Sequence, residues 1–173
     1  MALRVSFELD DHDLKHFRLI MREARNAAAR HAPEDIVAAA EAQLSEIRDT
    51  SAPGFILERI QKLRLMIRML TDLEWRLPHD EASRVLNALA YFTEPEDLIP
   101  DHIPGVGFLD DAIMIELVAR EVRPEIQAYR DFCVVRAAEI SRRGEDADKL
   151  VKSDWLDERR KQLQSRMRRR RRR

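Results

Sequence analysis

Four aspartates, Asp97, Asp101, Asp110 and Asp111, fall within one short segment, with His102 next to the second. Carboxylate oxygens are hard ligands, and several gathered closely need a cation to relieve their repulsion. Brought together, these four suit Mg²⁺, Mn²⁺ or Ca²⁺. Their spacing matches no established loop such as the EF-hand. A plainer account is available: Asp110 or Asp111 caps a following helix, and Asp97 and Asp101 accept N–H groups of the loop they occupy. The metal reading predicts a Tm that rises with divalent cation and no longer does so in Asp97→Asn/Asp111→Asn. A Tm indifferent to all three cations would sink it.

Other candidate chemistry is thinner. His12 and His16 lie four apart, a spacing that lets two imidazoles meet one metal, but no Glu follows His12 and no third ligand is evident. A solvated helix face accounts for them. Cys133, the single cysteine, lies on an apolar stripe and reads as core packing rather than as a nucleophile. It also rules out an intramolecular disulfide framework and a paired-cysteine zinc site, which makes a reducing cytoplasm the expected compartment. No Gly-x-Ser-x-Gly elbow and no phosphate-cradling glycine loop occurs, and Gly105-Val106-Gly107 is too short to signal a dinucleotide. An enzyme is the less favoured reading, and no cofactor is expected beyond the divalent cation of the aspartate alternative.

The charge distribution is more informative. The 173 residues carry 31 Lys+Arg and 32 Asp+Glu, for a net charge of −1. Ten of the basic residues lie in positions 159–173: Arg159, Arg160, Lys161, Arg166, Arg168, Arg169, Arg170, Arg171, Arg172 and Arg173. With no acid among them, they leave residues 1–158 at −11. A run of six arginines repels itself, resists folding and seeks anions. Its candidate partners are RNA or DNA phosphates, an anionic lipid surface, or an acidic protein surface, including the chain's own body or a second copy of it. Codon drift is the bland alternative, since the chain has 26 Arg against 5 Lys. If the tail binds polyanions, deleting 166–173 abolishes that binding at low salt.

These groups must be positioned by helices. Gly and Pro together make up 11 of the 173 residues, about half the usual share of roughly 12%, and 36% of residues are charged. Apolar residues recur at helical spacing. The first helix is capped by Asp10 or Asp11, with Leu14, Phe17, Met21, Ala24 and Ala28 inward. The second opens at Pro33 and runs through Ile36, Ala40, Leu44 and Ile47. In the third, Ile56, Ile60, Leu63, Ile67 and Leu70 form the clearest stripe, expected to end at Pro78. A fourth spans Glu81 to Phe92, with Val85, Leu89 and Phe92 inward. A fifth starts at Asp110 with Ile113, Leu117 and Val118, and Pro124 either kinks it or starts a sixth through Ile126, Tyr129, Cys133, Ala137 and Ile140. Trp75 and Trp155 read as packing anchors. No stretch reaches the roughly 18 uncharged apolar residues of a membrane helix, and the N-terminus does not read as a secretory signal.

Between the fourth and fifth helices lies Tyr91-Phe-Thr-Glu-Pro-Glu-Asp-Leu-Ile-Pro-Asp-His-Ile-Pro-Gly-Val-Gly-Phe-Leu-Asp-Asp111. Its aromatic Tyr91, prolines Pro95, Pro100 and Pro104, Asp97-Leu98-Ile99-Pro100-Asp101, glycines Gly105 and Gly107, and Leu109-Asp110-Asp111 closely resemble the signature of the YkvA-like family, a bacterial domain of unknown function. The match spans about residues 84–122, a fifth of the chain, and departs at Glu94, where a small residue is usual. The resemblance implies a helical hairpin joined by this loop, and association with membranes in some relatives; it implies no activity.

The expectation is therefore an all-α, compact multi-helix bundle with a Pro/Asp-rich loop between two core helices. Residues 1–144 should form the helical domain, and 145–173 a charged helical extension ending in a disordered poly-Arg tail. The expected function is a non-catalytic interaction or scaffold module whose tail binds polyanions. It would be cytoplasmic or peripheral at the inner membrane surface, and a homo-oligomer is left open.

Overall fold

Asp10 sets the start of the first helix through a reciprocal cap: its carboxylate accepts the His12 and Asp13 N–H groups at 2.7 and 2.9 Å, and Asp13 returns the bond to the Asp10 N–H at 3.1 Å. A computed structural model of the chain describes residues 8–48, 54–93, 109–143 and 154–172. Among the described residues seven α-helices follow one another: α1 (Asp11–Ala28), α2 (Pro33–Arg48), α3 (Gly54–Thr71), α4 (His79–Leu89), α5 (Leu109–Glu121), α6 (Arg123–Arg143) and α7 (Asp154–Arg171). A 3₁₀ turn, Ala90–Thr93, extends α4. Among the described residues there is no strand, and the fold is an all-α bundle.

The stripe of α3 does what its spacing demands. Ile56, Ile60, Leu63 and Ile67 are buried, joined by Met66 and Met69. Each such side chain contributes roughly 1.5–3 kcal/mol by leaving water. α3 packs against α5, and α2 lies against α3, α4 and the 3₁₀ turn, which also receives α1. From the fourth helix, Val85 and Leu89 enter the core as expected, whereas Phe92 has no described side chain.

Two boundaries differ from the sequence reading, the end of α3 and the start of α4, and a third settles between its alternatives. α3 stops at Thr71 rather than Pro78, because the Asp72 carboxylate accepts the N–H groups of Glu74 and Trp75 at 3.0 and 3.1 Å and folds the chain into a turn. Arg76 then takes φ of 47°, a left-handed conformation that costs a non-glycine residue about 1–2 kcal/mol. Pro78 is not a terminator but the residue that precedes α4. Pro124 lies in the first turn of α6, where its missing N–H does no harm, so it starts a helix.

The largest departure is at the C-terminus. The expected disordered arginine run is helical through Arg171. Leu156, Leu163 and Met167 of α7 are buried within the same hydrophobic cluster as the rest of the bundle, and among the described residues α6 and α7 share the most extensive helix–helix contact. α7 is thus a packed member of the core. Docking overcomes the self-repulsion of the arginines because three of them meet acceptors on the body, as described below.

Candidate functional site

The predicted aspartate site is only partly placed. Asp97 and Asp101, with His102, Pro95, Pro100, Pro104, Gly105 and Gly107, lie outside the described residues. Asp110 and Asp111 occupy the first turn of α5, where the helix dipole favours negative charge, and both are buried. The Gln43 amide of α2 donates to Asp111 Oδ2 at 3.0 Å, which ties the start of α5 to α2. Tyr91, the aromatic of the same motif, is buried in the 3₁₀ turn that packs on α1 and α2. Among the described residues one trio could offer a metal three ligands, Asp10, His12 and Asp13. Its two carboxylates make the reciprocal cap of α1, which accounts for their proximity.

The tail residues are fully legible in the structure apart from Arg173. α7 has two sides. On the inner side, Arg160 is buried, donates to the Glu74 carbonyl at 3.1 Å and pairs with Asp157 at 2.8 Å. Gln164 donates to the carbonyls of Trp75 and Arg76 at 2.9 and 3.2 Å, which holds the strained turn after α3. Further on, Arg168 meets Glu81 at 3.1 Å, and Arg171 meets Glu125 at 2.5 Å. Glu81 and Glu125 have side chains only 4% and 0% exposed, and Arg84 of α4 lies 3.5 Å from each. A carboxylate so buried is tolerable only when paired, so these arginines stabilise the charges the body buries.

On the outer side Arg159, Lys161, Arg166, Arg169, Arg170 and Arg172 are exposed. At 100° per residue, Arg159, Arg166 and Arg170 share a face with Trp155, which is itself 37% exposed. Trp155 is therefore not the packing anchor expected of it; Trp75 is, fully buried against Phe132 and Tyr129 at ring distances of 5.1 and 5.8 Å. Cys133 is half-buried, with the Arg136 guanidinium 3.8 Å from its sulfur.

A polar knot that the sequence did not reveal joins the turn after α3 to α6. Asp72 accepts the Tyr129 hydroxyl at 2.9 Å and pairs with Arg136 at 2.9 Å, while Arg136 also holds Glu74 at 2.6 Å and lies over the Phe132 ring. Burial alone would raise the Asp72 carboxyl, but the Trp75 N–H, the Tyr129 hydroxyl and Arg136 together hold it below the ordinary value. Burial also pushes the Tyr129 phenol up, reinforced by the adjacent Asp72 charge. The only member that the sequence reading singled out was Tyr129, placed on the apolar stripe of its helix; Asp72, Glu74 and Arg136 carry no periodic signal.

Comparison with known proteins places the α4–α5 region. The family described as a protein of unknown function (DUF1232) matches residues 84–117, from mid-α4 across the loop into α5. The uncharacterized membrane protein YkvA of Bacillus subtilis (strain 168) is 34% identical over 79 residues, covering 42% of this chain and 73% of that protein. The chain belongs to the YkvA-like family. The family model covers the segment that holds Tyr91 and the paired aspartates opening α5, and does not extend to α7 and its arginines. No solved structure matches. Among the described residues, no helix is long and apolar enough to cross a membrane.

Proposed function

We propose that this family member is a non-catalytic helical interaction module whose α7 presents its outer arginines to polyanions. The observation that carries this reading is the two-sidedness of α7. Leu156, Arg160, Leu163 and Met167 bind the helix to the body, while Arg159, Arg166 and Arg170 share an exposed face. Cations fixed on a docked helix lose less freedom on binding phosphates than cations on a loose tail. Such contact is expected to be strong at low salt and indifferent to sequence.

Arg159→Gln/Arg166→Gln/Arg170→Gln tests it, with single-stranded RNA homopolymer as probe. Loss of three phosphate contacts should lower the slope of log K against log salt by roughly 2. An unchanged affinity and slope would remove the reading.

A second reading is peripheral association with anionic membrane surfaces from the cytoplasmic side. Two observations favour it: Trp155 on the arginine face, since indole suits the headgroup layer, and the description of the Bacillus subtilis relative as a membrane protein. Binding to phosphatidylglycerol vesicles but not to RNA, weakened by Trp155→Ala, would select this reading over the first.

A further inference from the structure

A second cationic surface lies on the acidic body itself, away from α7. Val122 N–H donates to the Val118 carbonyl at 3.1 Å and Ile126 N–H to the Val122 carbonyl at 3.0 Å, so the hydrogen-bond ladder carries on from α5 into α6. Glu116, Ala119, Arg120, Arg123, Ile126 and Arg130 then recur at helical spacing along one face. Lys62 of α3 faces them, and together these residues line a cleft of about 260 Å³.

The cleft holds four cations and one carboxylate. Glu116 is already engaged: it bonds Lys62, accepts from Arg120 at 3.2 Å and lies 3.5 Å from Arg59. Burial alone would raise its carboxyl, but Lys62, Arg120 and Arg59 keep it below the ordinary value and hence ionised. Arg123 and Arg130 are exposed, and neither has an ion-pair partner among the described residues. Some guanidinium groups of the body do find acids, as where Arg25 meets Glu121 at 2.5 Å and Arg136 meets Asp72 and Glu74. On a body with a net charge of −11 over residues 1–158, a concave site lined by four cations and one carboxylate runs against the overall charge.

We propose that this cleft binds a phosphate-bearing anion. Arg123 and Arg130 supply planar, charge-assisted donors that fit phosphate oxygens better than an ammonium does. Glu116 fixes Lys62 and Arg120 beside them, which reduces the cost of ordering those side chains on binding. The mostly buried Ala119 and Ile126 give the cleft an apolar floor suited to carbon next to the phosphate. The same chemistry is offered by a lipid headgroup and by a small phosphate monoester. The site is independent of the polyanion reading of α7, because no α7 residue lines it.

The test uses the full chain at constant ionic strength and two probes, glycerol phosphate in solution and phosphatidylcholine vesicles doped with phosphatidic acid. The wild type should bind, and Arg123→Gln/Arg130→Gln should bind roughly tenfold more weakly or worse at an unchanged Tm. Arg159→Gln/Arg166→Gln/Arg170→Gln should retain binding to glycerol phosphate, which separates this site from α7. Arg123→Lys/Arg130→Lys, which keeps the charge but not the fork, should fall between. Binding of glycerol phosphate supports a site open to soluble monoesters, and binding of vesicles alone supports a headgroup site. Failure of the wild type to bind either probe, or equal binding by the glutamine variant, overturns the proposal.

Discussion

Asp72 makes several contacts from one half-buried carboxylate: it ends α3, receives the Tyr129 hydroxyl and anchors Arg136. The Asp72→Asn variant keeps the shape but loses the charge and one strong acceptor, so it should destabilise the fold by about 1–3 kcal/mol at neutral pH. The pH dependence has a definite sign. Asp72 ionises more readily in the folded chain than at its ordinary value of 3.8. Its contribution is therefore complete above that value and disappears as pH falls through the lower folded value. Urea titrations of wild type and Asp72→Asn should differ most at neutral pH and converge in strong acid. A gap that is constant across the range would mean that the carboxylate's charge does not contribute. Tyr129→Phe removes a single hydrogen bond and should cost less, about 1 kcal/mol.

At the scale of elements, α7 decides how the bundle closes. Its inner face covers α6 and satisfies the carbonyls of the turn after α3, so Leu163 contributes both burial and the alignment of Gln164. Leu163→Ala should cost about 2–4 kcal/mol by leaving a cavity. It should also speed tryptic cleavage within 159–172 without comparable acceleration in α3, as read by urea denaturation and limited proteolysis. Equal protection of the tail in both proteins would show that α7 is held by its ion pairs alone. The helices themselves could be read from sequence where one physical cause dominates. Ile56, Ile60, Leu63 and Ile67 repeat at helical spacing, Asp10 offers a cap, and Pro33 opens α2. The reading succeeded only in part where the buried face is broad. On α5 the buried Asp110, Asp111, Ala112, Met114, Ile115, Val118 and Ala119 span an arc of about 200° at 100° per residue; of the three residues read as inward, Val118 lies within it, and Ile113 and Leu117 lie on the half-buried side. It failed on α6, where Ala137 and Ile140 continue the apolar period yet are exposed, the latter by 42%. Periodicity reports a helix; it does not report where the neighbouring helix ends.

Over the whole molecule, the near-zero net charge conceals an acidic body and a basic C-terminus, and the sequence showed that division but not its consequence. Arg168 and Arg171 look identical to Arg169 and Arg170 in a run of six, yet two face Glu81 and Glu125 and two face outward. Only the angle at which α7 docks separates them, and that angle depends on Leu156, Leu163 and Met167 meeting α6. Deletion of 166–173 is for the same reason an ambiguous test of polyanion binding, because it also strips Met167 and the partners of two buried carboxylates. Point substitutions resolve the two roles. Removing one partner of a buried pair leaves an uncompensated charge, whereas removing both charges is often close to neutral. Arg171→Met should therefore destabilise the fold by roughly 2–4 kcal/mol, since Glu125 is fully buried and retains only Arg84 at 3.5 Å. Glu125→Gln in the same chain should recover much of that loss, giving a coupling of about 1–3 kcal/mol in the double-mutant cycle. Arg170→Met, on the outer face, should change stability by less than about 0.5 kcal/mol. Thermal or urea unfolding of the five proteins (wild type, Arg171→Met, Glu125→Gln, their double variant and Arg170→Met) decides the point. Additive losses at Arg171 and Glu125 would mean that the contact does not couple the tail to the body, and the arginine run would then be an ornament on the fold rather than one of its fastenings.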